Sequence, residues 1–486
     1  MQRALTVIHA LGLLLVMFST TYILPVATSL IYDDSALLLD FLLAMVWTAS
    51  AGILMWLLTR RSKGELSIRH GYLLVVTMWT AMPAFATIPL LLMLPGLSFT
   101  DAYFETMSGM TTTGATVLTG LDTLPPAINV WRHELNWLGG LGIIVLAVAV
   151  LPLLGIGGRQ LFKAETPGPM KESALTPRIA DTARNLWVVY LGITLACIGA
   201  LKWAGMDWLD AICHAFATMS LGGFSTHDSS VGYFNSPLIE FVMIVFMLIA
   251  AINFATHFLA WRGRTLAVYL RDAEAVATTI LILGSCVVIA FFLWWNGVYP
   301  EFLTALRHAS FNLVSIATDC GFASVDFNQW PIFAPLWMLF LSSIACSSGS
   351  TGGGIKMMRT LVLVKQAGRE FVKLLHPAAV NPMKIGGHVV ANNIVFAVLG
   401  FIFLYFMSVA TLTFVLLISG LDFISAFTAV IACINNAGPG LGVVGPAGNY
   451  AGLTDFQTWV CTFAMLVGRL EIITVLILFT PHFWRR

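Results

Sequence analysis

The sequence predicts an all-α integral membrane protein: four repeats of helix, pore-helix and helix around a pseudo-fourfold pore. Three observations predict it. Apolar residues make up 58% of the 486-residue chain and charged residues only 10%, against about 25% charged in a soluble domain. Stretches long enough to cross a membrane recur along the chain. Between them lie four short polar runs, each holding a glycine, in a common register.

A helical span needs about 20 apolar residues. Ten stretches qualify, near 4–30, 36–58, 71–95, 131–154, 186–204, 237–261, 275–297, 333–363, 390–419 and 456–481. The first follows Arg3, and its apolar run reaches about Ile31. That exceeds the roughly 7 to 15 residues of a signal-peptide core, so it reads as a retained helix. Shorter half-apolar segments near 100–112, 208–221, 302–319 and 423–436 follow the third, fifth, seventh and ninth spans. They are too short to cross, and read as re-entrant pore helices. Irregular backbone at membrane depth is tolerated only where it is buried in protein or lines a water-filled cavity.

Each half-helix ends in a glycine run: Thr111-Thr112-Thr113-Gly114, Ser220-Leu221-Gly222-Gly223, Thr318-Asp319-Cys320-Gly321 and Asn435-Asn436-Ala437-Gly438. With Gly114, Gly223, Gly321 and Gly438 in register, the residues three earlier are all small and polar, and those twelve earlier are Ala102, Ala211, Ala309 and Ala426. The glycines are 109, 98 and 117 residues apart. Self-similarity in a fixed register marks a repeated unit, and four units around an axis bring four glycine turns together.

The chemistry of such turns suits a monovalent cation. Backbone carbonyls facing an axis replace a hydration shell without introducing full charge. Turning them inward requires dihedrals that glycine adopts cheaply. The hydroxyls of Thr111, Thr112, Ser220 and Thr318, and the amides of Asn435 and Asn436, either add ligands or brace the loops. One glycine per repeat predicts a modest potassium-over-sodium preference. For Asp319 the expected role is a brace, its carboxylate turned from the axis, because a lone carboxylate there would hold a cation too tightly for release.

Lysine and arginine distribution orients the chain. With the N-terminus inside, 21 of the 25 basic residues fall on the cytoplasmic side, leaving Arg132, Lys202, Arg307 and Arg469 elsewhere. The C-terminus is then cytoplasmic too. The glycine runs sit toward the outer face among Asp101, Glu105, Asp122, Glu134, Asp207, Asp210, Asp228, Glu301 and Asp326, a mouth whose sign attracts cations or an ordinary set of loop acids. The cytoplasmic loops 156–185 and 364–388, with Pro167, Pro169, Pro177, Pro377 and Pro382 among basic residues, read as docking surfaces rather than domains.

Two further stretches interrupt the helical pattern. The eighth span contains Cys346-Ser347-Ser348-Gly349-Ser350-Thr351-Gly352-Gly353-Gly354-Ile355-Lys356, whose glycines and hydroxyls make poor helix. It matches a phosphate-binding loop only superficially, since Met357 follows Lys356 and no strand precedes it. A loop inside the membrane below the filter is the reading that fits. Arg469 lies in the middle of the last span, at an insertion cost of about 2.5–3.5 kcal/mol. Glu471, two residues on, faces another side of a helix, so Arg469 is expected to face the pore. Together the loop and Arg469 form the expected gate, with Gly349, Gly352, Gly353, Gly354 and Lys356 as its loop residues.

A net charge of +1 gives no reason to expect a nucleic-acid partner. The seven cysteines include no C-x-x-C pair, and the ten histidines no ligand spacing. A membrane enzyme using the outer acids with His214 or His308 would need convergent groups that the spacing does not supply. No organic cofactor is expected.

The motifs TTTGAT at 111–116, ETPGPMK at 165–171, GGFSTHD at 222–228, GSTGGGIK at 349–356, NNAGPGLG at 435–442 and GRLE at 468–471 resemble those of the Trk-type potassium-uptake transporters. The likeness is to their membrane-subunit family, TrkH/TrkG, related to KtrB and HKT, and covers essentially the whole chain. It implies two extra N-terminal helices (1–69), then pore repeats at 70–185, 186–272, 273–388 and 389–486, the third with the gating loop. It also implies potassium as the transported ligand, a homodimer in a bacterial inner membrane, and a TrkA-type cytosolic nucleotide-binding subunit. In that family the glycine-containing runs bind potassium, and the loop and the arginine matching Arg469 constrict the pore. Where the family's third run carries hydroxyl residues, this chain has Asp319-Cys320. Passive flux and proton- or sodium-coupled symport both remain compatible with the sequence.

Overall fold

The computed structural model describes residues 2–61, 67–142 and 179–485. The part of the fourth expected span after Gly142, most of the 156–185 loop and the 165–171 motif lie outside the described residues. The described chain is helical apart from one antiparallel hairpin that pairs Lys384–Ile385 with His388–Val389. Among the described residues six helices are long and apolar enough to cross a membrane, or up to eight if each of two bent pairs is one span. The outward faces are apolar, with Leu39, Trp47, Ile280, Val287, Phe396 and Phe403 exposed, as a lipid-facing surface requires.

The N-terminal helices pack on the first repeat through a specific repair of the backbone. Helix Ile68–Met93 contains Pro83 and Pro89. Proline has no N–H to give its helix, so Pro89 leaves the Phe85 carbonyl without its usual donor. The Tyr22 hydroxyl from the first span donates to that carbonyl at 3.0 Å, and the buried Tyr22 ring stacks on Trp131 at 4.5 Å.

The four half-helices run Phe99–Met110, Trp208–Ser220, Phe302–Ala317 and Phe423–Asn435. Three start at a capping side chain in one register: Ser98 accepts from the Asp101 N–H, Asp207 from that of Asp210 and Asp422 from that of Ser425. The third starts at Phe302, a turn earlier relative to its glycine, without a side-chain cap. Ala102, Ala211, Ala309 and Ala426 are all fully buried; a small residue there lets each half-helix seat among its neighbours. Two apolar cores result. One joins the N-terminal helices to the first and last half-helices around Trp79, Phe104 and Trp131. The other packs the second and third around Phe254, Phe311 and Phe322.

Two expectations need correction. The second long helices of the second and fourth repeats are not straight spans: one bends by 94° between Pro237–Ala250 and Phe254–Gly263, the other by 109° between Asp455–Arg469 and Ile473–Phe479. That of the first repeat passes into a π-helical turn at Leu138–Gly142. That of the third is interrupted as expected, stopping at Ile344 and resuming at Met357. No proline marks these breaks, and composition continues apolar through most of them, so hydropathy alone reads them as continuous. Finally, 364–388 is not a loop throughout, because helix Met357–Leu375 occupies its first half. Its apolar positions, including Phe371, Leu374 and Leu375, are exposed.

Candidate functional site

All four half-helices end in the same backbone motif. The residue two before each glycine is left-handed: Thr112 at φ 56, Leu221 at 53, Asp319 at 64 and Asn436 at 58. The next N–H, of Thr113, Gly222, Cys320 and Ala437, reaches back five residues to the carbonyls of Ser108, Ala217, Ser315 and Ala432, each at 2.8 Å. This is the Schellman termination, usually completed by glycine. Here non-glycine residues hold the left-handed position, at roughly 1–3 kcal/mol each. Gly114, Gly223, Gly321 and Gly438 then follow at φ 76, 65, 92 and 81.

The runs meet one another in chain order. A Cβ on Gly114 would sit 2.3 Å from the Gly222 carbonyl oxygen, one on Gly223 2.0 Å from that of Cys320, one on Gly321 2.5 Å from that of Ala437, and one on Gly438 2.6 Å from that of Thr113. Each glycine therefore abuts the carbonyl that precedes the corresponding glycine of the next repeat, and the fourth returns to the first. The four runs form a closed ring.

Side chains at the ring act as braces. The hydroxyls of Thr111, Ser220 and Thr318 donate to their own helices, to the carbonyls of Met107, Phe216 and Val314 at 2.7, 2.8 and 2.7 Å. Asn435 donates to Ser342 and Ser343 and accepts from Tyr405. Asn436 donates to the Thr113 hydroxyl at 3.0 Å.

A second layer of braces went unrecognised in the sequence. Nine residues before the glycine stand Glu105, His214 and Asn312, and each fastens the segment after its glycine. Glu105 accepts from the Thr116 hydroxyl and the Val117 N–H, both at 3.0 Å. His214 pairs with the Ser225 hydroxyl at 3.0 Å, and Asn312 accepts from the Ser324 N–H at 3.1 Å. In the fourth repeat Thr428 accepts from the Leu441 N–H at 2.8 Å. In the first three repeats the shared signal is a polar residue nine before the glycine, while in the fourth it lies ten before; types and register both differ, so no residue pattern revealed it. Buried Arg132 completes the first brace, 2.8 Å from Glu105, and donates across to the Ser225 carbonyl of the second repeat.

Outside the ring lies a cavity of about 80 Å3, whose lining includes Gly114, Gly223, Gly321 and Gly438 with Arg132, His227 and Asp228. The outer acids are committed mainly to caps and braces. Asp122 and Asp210 hold His227 from both ring nitrogens, at 2.5 and 3.2 Å. Burial opposes charge on His227, yet these two carboxylates outweigh it and raise its pKa above 6.5. Asp228, at the cavity wall, accepts from the Leu121 N–H at 3.1 Å.

Beneath the ring, the loop between Ile344 and Met357 reaches the ends of the half-helices. Thr351 donates to the Met219 carbonyl at 3.1 Å, the Cys346 thiol donates to the Thr318 carbonyl at 3.3 Å, and the Gly353 N–H donates to Asp319 at 2.9 Å. A Cβ on Gly353 would lie 1.8 Å from the Asn435 carbonyl oxygen, and one on Gly352 2.3 Å from the Cys346 sulfur. Gly349 and Gly354 hold positive φ of 80 and 71, and Lys356 one of 76. The buried Lys356 ammonium donates to the Gly352 carbonyl. Arg469 lies under the first run, donating to the Thr112 hydroxyl at 3.1 Å and to the Thr351, Gly139 and Gly140 carbonyls. Glu471 turns away and pairs with Arg359 at 2.7 Å. The loop's two ends are joined by Glu274, whose Oε1 accepts from the N–H groups of Ser348 and Met358, both at 2.9 Å. Among the described residues no group of three or more His, Cys, Asp or Glu is placed to hold a metal ion.

A sequence model described as TrkH, cation transport protein, matches residues 38–486. The chain is 46% identical over 487 residues to the Trk system potassium uptake protein TrkH of Salmonella typhimurium, covering 99% of each. It is 40% identical over 482 residues to the Trk system potassium uptake protein TrkG of Escherichia coli, covering 99% of this chain and 98% of that protein. Among solved structures, the potassium transporter TrkH from Vibrio parahaemolyticus matches with a TM-score of 0.89 at 43% identity, covering 99% of each chain.

Proposed function

The chain belongs to the TrkH family of cation transport proteins, a family of transporters rather than enzymes, and from that membership we propose that it takes up potassium through a pore whose selectivity filter is the ring of four glycine runs. The closed contact of each glycine with the next run's carbonyl carries this reading. Carbonyl oxygens ordered around one axis replace a hydration shell, and the braces behind them hold the spacing. The names of the relatives, Trk system potassium uptake proteins, supply the ion.

The loop 346–356 and Arg469 form the gate. The loop lies against the ends of the half-helices, and Arg469 binds it through Thr351. A cation meeting a fixed guanidinium at 4 Å and an effective dielectric of 20 faces about 4 kcal/mol of repulsion, roughly a thousandfold in rate. Helix Met357–Leu375 begins where the loop ends, and its exposed face carries Phe371, Leu374 and Leu375. This helix, with 156–185, is the docking surface for a TrkA-type nucleotide-binding subunit in the cytosol, and its displacement would draw the loop aside. The protein works as a homodimer in a bacterial inner membrane, with both termini cytoplasmic and the chain divided into two N-terminal helices and four pore repeats.

Flux of potassium, rubidium and sodium into liposomes holding the purified protein, with and without a pH gradient, tests the proposal. Potassium and rubidium flux above sodium, independent of the gradient, is expected. Flux that requires the gradient replaces the passive pore with a coupled symporter, and no cation flux with or without the partner rejects transport through the ring.

A further inference from the structure

Asp319 is the one carboxylate in the four runs, and its position joins two parts of the molecule. Its left-handed backbone (φ 64) belongs to the ring, at the position held by Thr112, Leu221 and Asn436 in the other repeats. Its side chain belongs to the loop: Oδ2 accepts the Gly353 N–H at 2.9 Å. The residue is fully buried. The neighbouring loop contacts are the Cys346 thiol on the Thr318 carbonyl at 3.3 Å and the buried Lys356 ammonium on the Gly352 carbonyl. Gly353 is tight against the next run as well, at the Asn435 carbonyl. One loop residue is therefore gripped by two adjacent runs.

A buried acceptor is tolerated where a donor reaches it. Here the donor is the Gly353 N–H, and Lys356 holds the adjoining Gly352 carbonyl. Both contacts belong to one short segment, so withdrawal of the loop breaks the tie to Asp319 and frees the run it is anchored in.

We infer that Asp319 is a latch between filter and gate, holding the loop closed through the Gly353 N–H, with Lys356 keeping that stretch of the loop in place through the Gly352 carbonyl. The inference rests on the reading of the loop as the gate. Asp319 acts through the loop, so it is a positioning residue for conduction rather than part of the carbonyl ring that discriminates ions.

The test measures potassium and sodium flux in liposomes without any partner subunit, for Asp319→Asn, Asp319→Thr, Lys356→Met and the double variant Asp319→Thr/Lys356→Met. Asp319→Thr, which loses the reach to the Gly353 N–H, should raise partner-free potassium flux about tenfold. Asp319→Asn, which keeps an acceptor oxygen, should raise it less. The potassium/sodium ratio should stay within about twofold of the parent, and the double variant should conduct no more than about twofold faster than the faster single one. Folded Asp319→Thr with parental flux overturns the latch. So does a fall in selectivity without a rise in flux, which would make Asp319 a support of the filter alone, and so do effects of the two sites that simply multiply. Where the Asp319 variants do not purify folded, Lys356→Met decides from the loop side: a tenfold rise supports the latch and parental flux overturns it. Arg469→Ala, measured alongside, separates the failures. If it raises flux while the Asp319 and Lys356 variants do not, the gate stands and the latch falls; if Arg469→Ala and deletion within 347–354 both leave flux unchanged, the gate reading itself has failed.

Discussion

The Arg469 guanidinium donates to the Thr351 carbonyl oxygen at 2.9 Å, tying the last long helix to the loop of the third repeat. The same side chain reaches the Thr112 hydroxyl and the carbonyls of Gly139 and Gly140. One arginine thus gathers the first, third and fourth repeats beneath the ring. Its four acceptors are backbone or hydroxyl oxygens freed by irregular chain, which explains how a cation is held at this depth without a carboxylate among these partners.

Arg469→Ala should open the pathway. Removing the charge lifts a barrier of about 4 kcal/mol and frees the Thr351 end of the loop. Partner-free rubidium flux into liposomes should rise by up to about a thousandfold, and Arg469→Lys, which keeps the charge but not the planar fork, should rise far less. Parental flux in a folded Arg469→Ala protein would place the gate elsewhere.

Gly223→Ser should weaken potassium selectivity while the protein remains folded. The added Cβ would sit 2.0 Å from the Cys320 carbonyl oxygen at φ 65, so backbone of the ring must shift. Loss of a tenfold preference requires only about 1.4 kcal/mol. Gly96→Ser is the control, for its φ is also positive but nothing lies within 4 Å of the added atom. Equal potassium/sodium ratios in the two variants would reduce Gly223 to a turn residue.

Glu105→Gln should destabilise the protein by about 3–5 kcal/mol, because it strands the buried Arg132 charge. Thermal unfolding in detergent reads this directly. The variant should also lose selectivity, since Glu105 holds Thr116 and Val117 just beyond Gly114. A parental melting temperature would show that Asn129, Ser225 and the Phe224 ring suffice to hold Arg132.

His227 sets a pH dependence with a definite sign. It lies between Asp122 and Asp210, 3.5 Å from the Tyr233 ring and 6.5 Å from that of His214. Its folded pKa is raised, so its contribution is complete below about 6.5 and is lost as pH climbs through the elevated folded value. The melting temperature of the parent should fall across that alkaline window, and His227→Gln should flatten the profile there. An unchanged profile would assign the window to other groups.

Glu274→Ala should loosen the loop from the opposite end by leaving the Ser348 and Met358 N–H groups without their shared acceptor. Partner-free flux should rise, whereas Glu274→Gln, which keeps an acceptor oxygen, should stay near the parent. Equal flux in all three proteins would show that the loop is held from the filter side alone.

The half-helices, the register of the four glycine runs and the irregular loop before Met357 were legible in the sequence because their causes are local. A positive φ calls for glycine or leaves a strained substitute, a half-length apolar segment cannot span, and a run such as Gly352-Gly353-Gly354 cannot remain helical. Nothing local marked the bends at Ala251–Asn253 and Leu470–Ile472, which have neither proline nor a sustained polar stretch. Nor could the sequence show what holds the π-helical turn at Leu138–Gly142, where Arg469 donates to the Gly139 and Gly140 carbonyls, 330 and 329 residues away in the chain. The same holds for Glu105, His214 and Asn312, three chemically unlike residues that become equivalent only when the segment after each glycine folds back over them. By itself, then, the sequence determined that four carbonyl-bearing turns exist and at what spacing. Only the tertiary structure decided that each glycine presses on the next run's carbonyl, and that Asp319 bonds to Gly353. Both are contacts between segments far apart in the chain, set by packing rather than by any local preference.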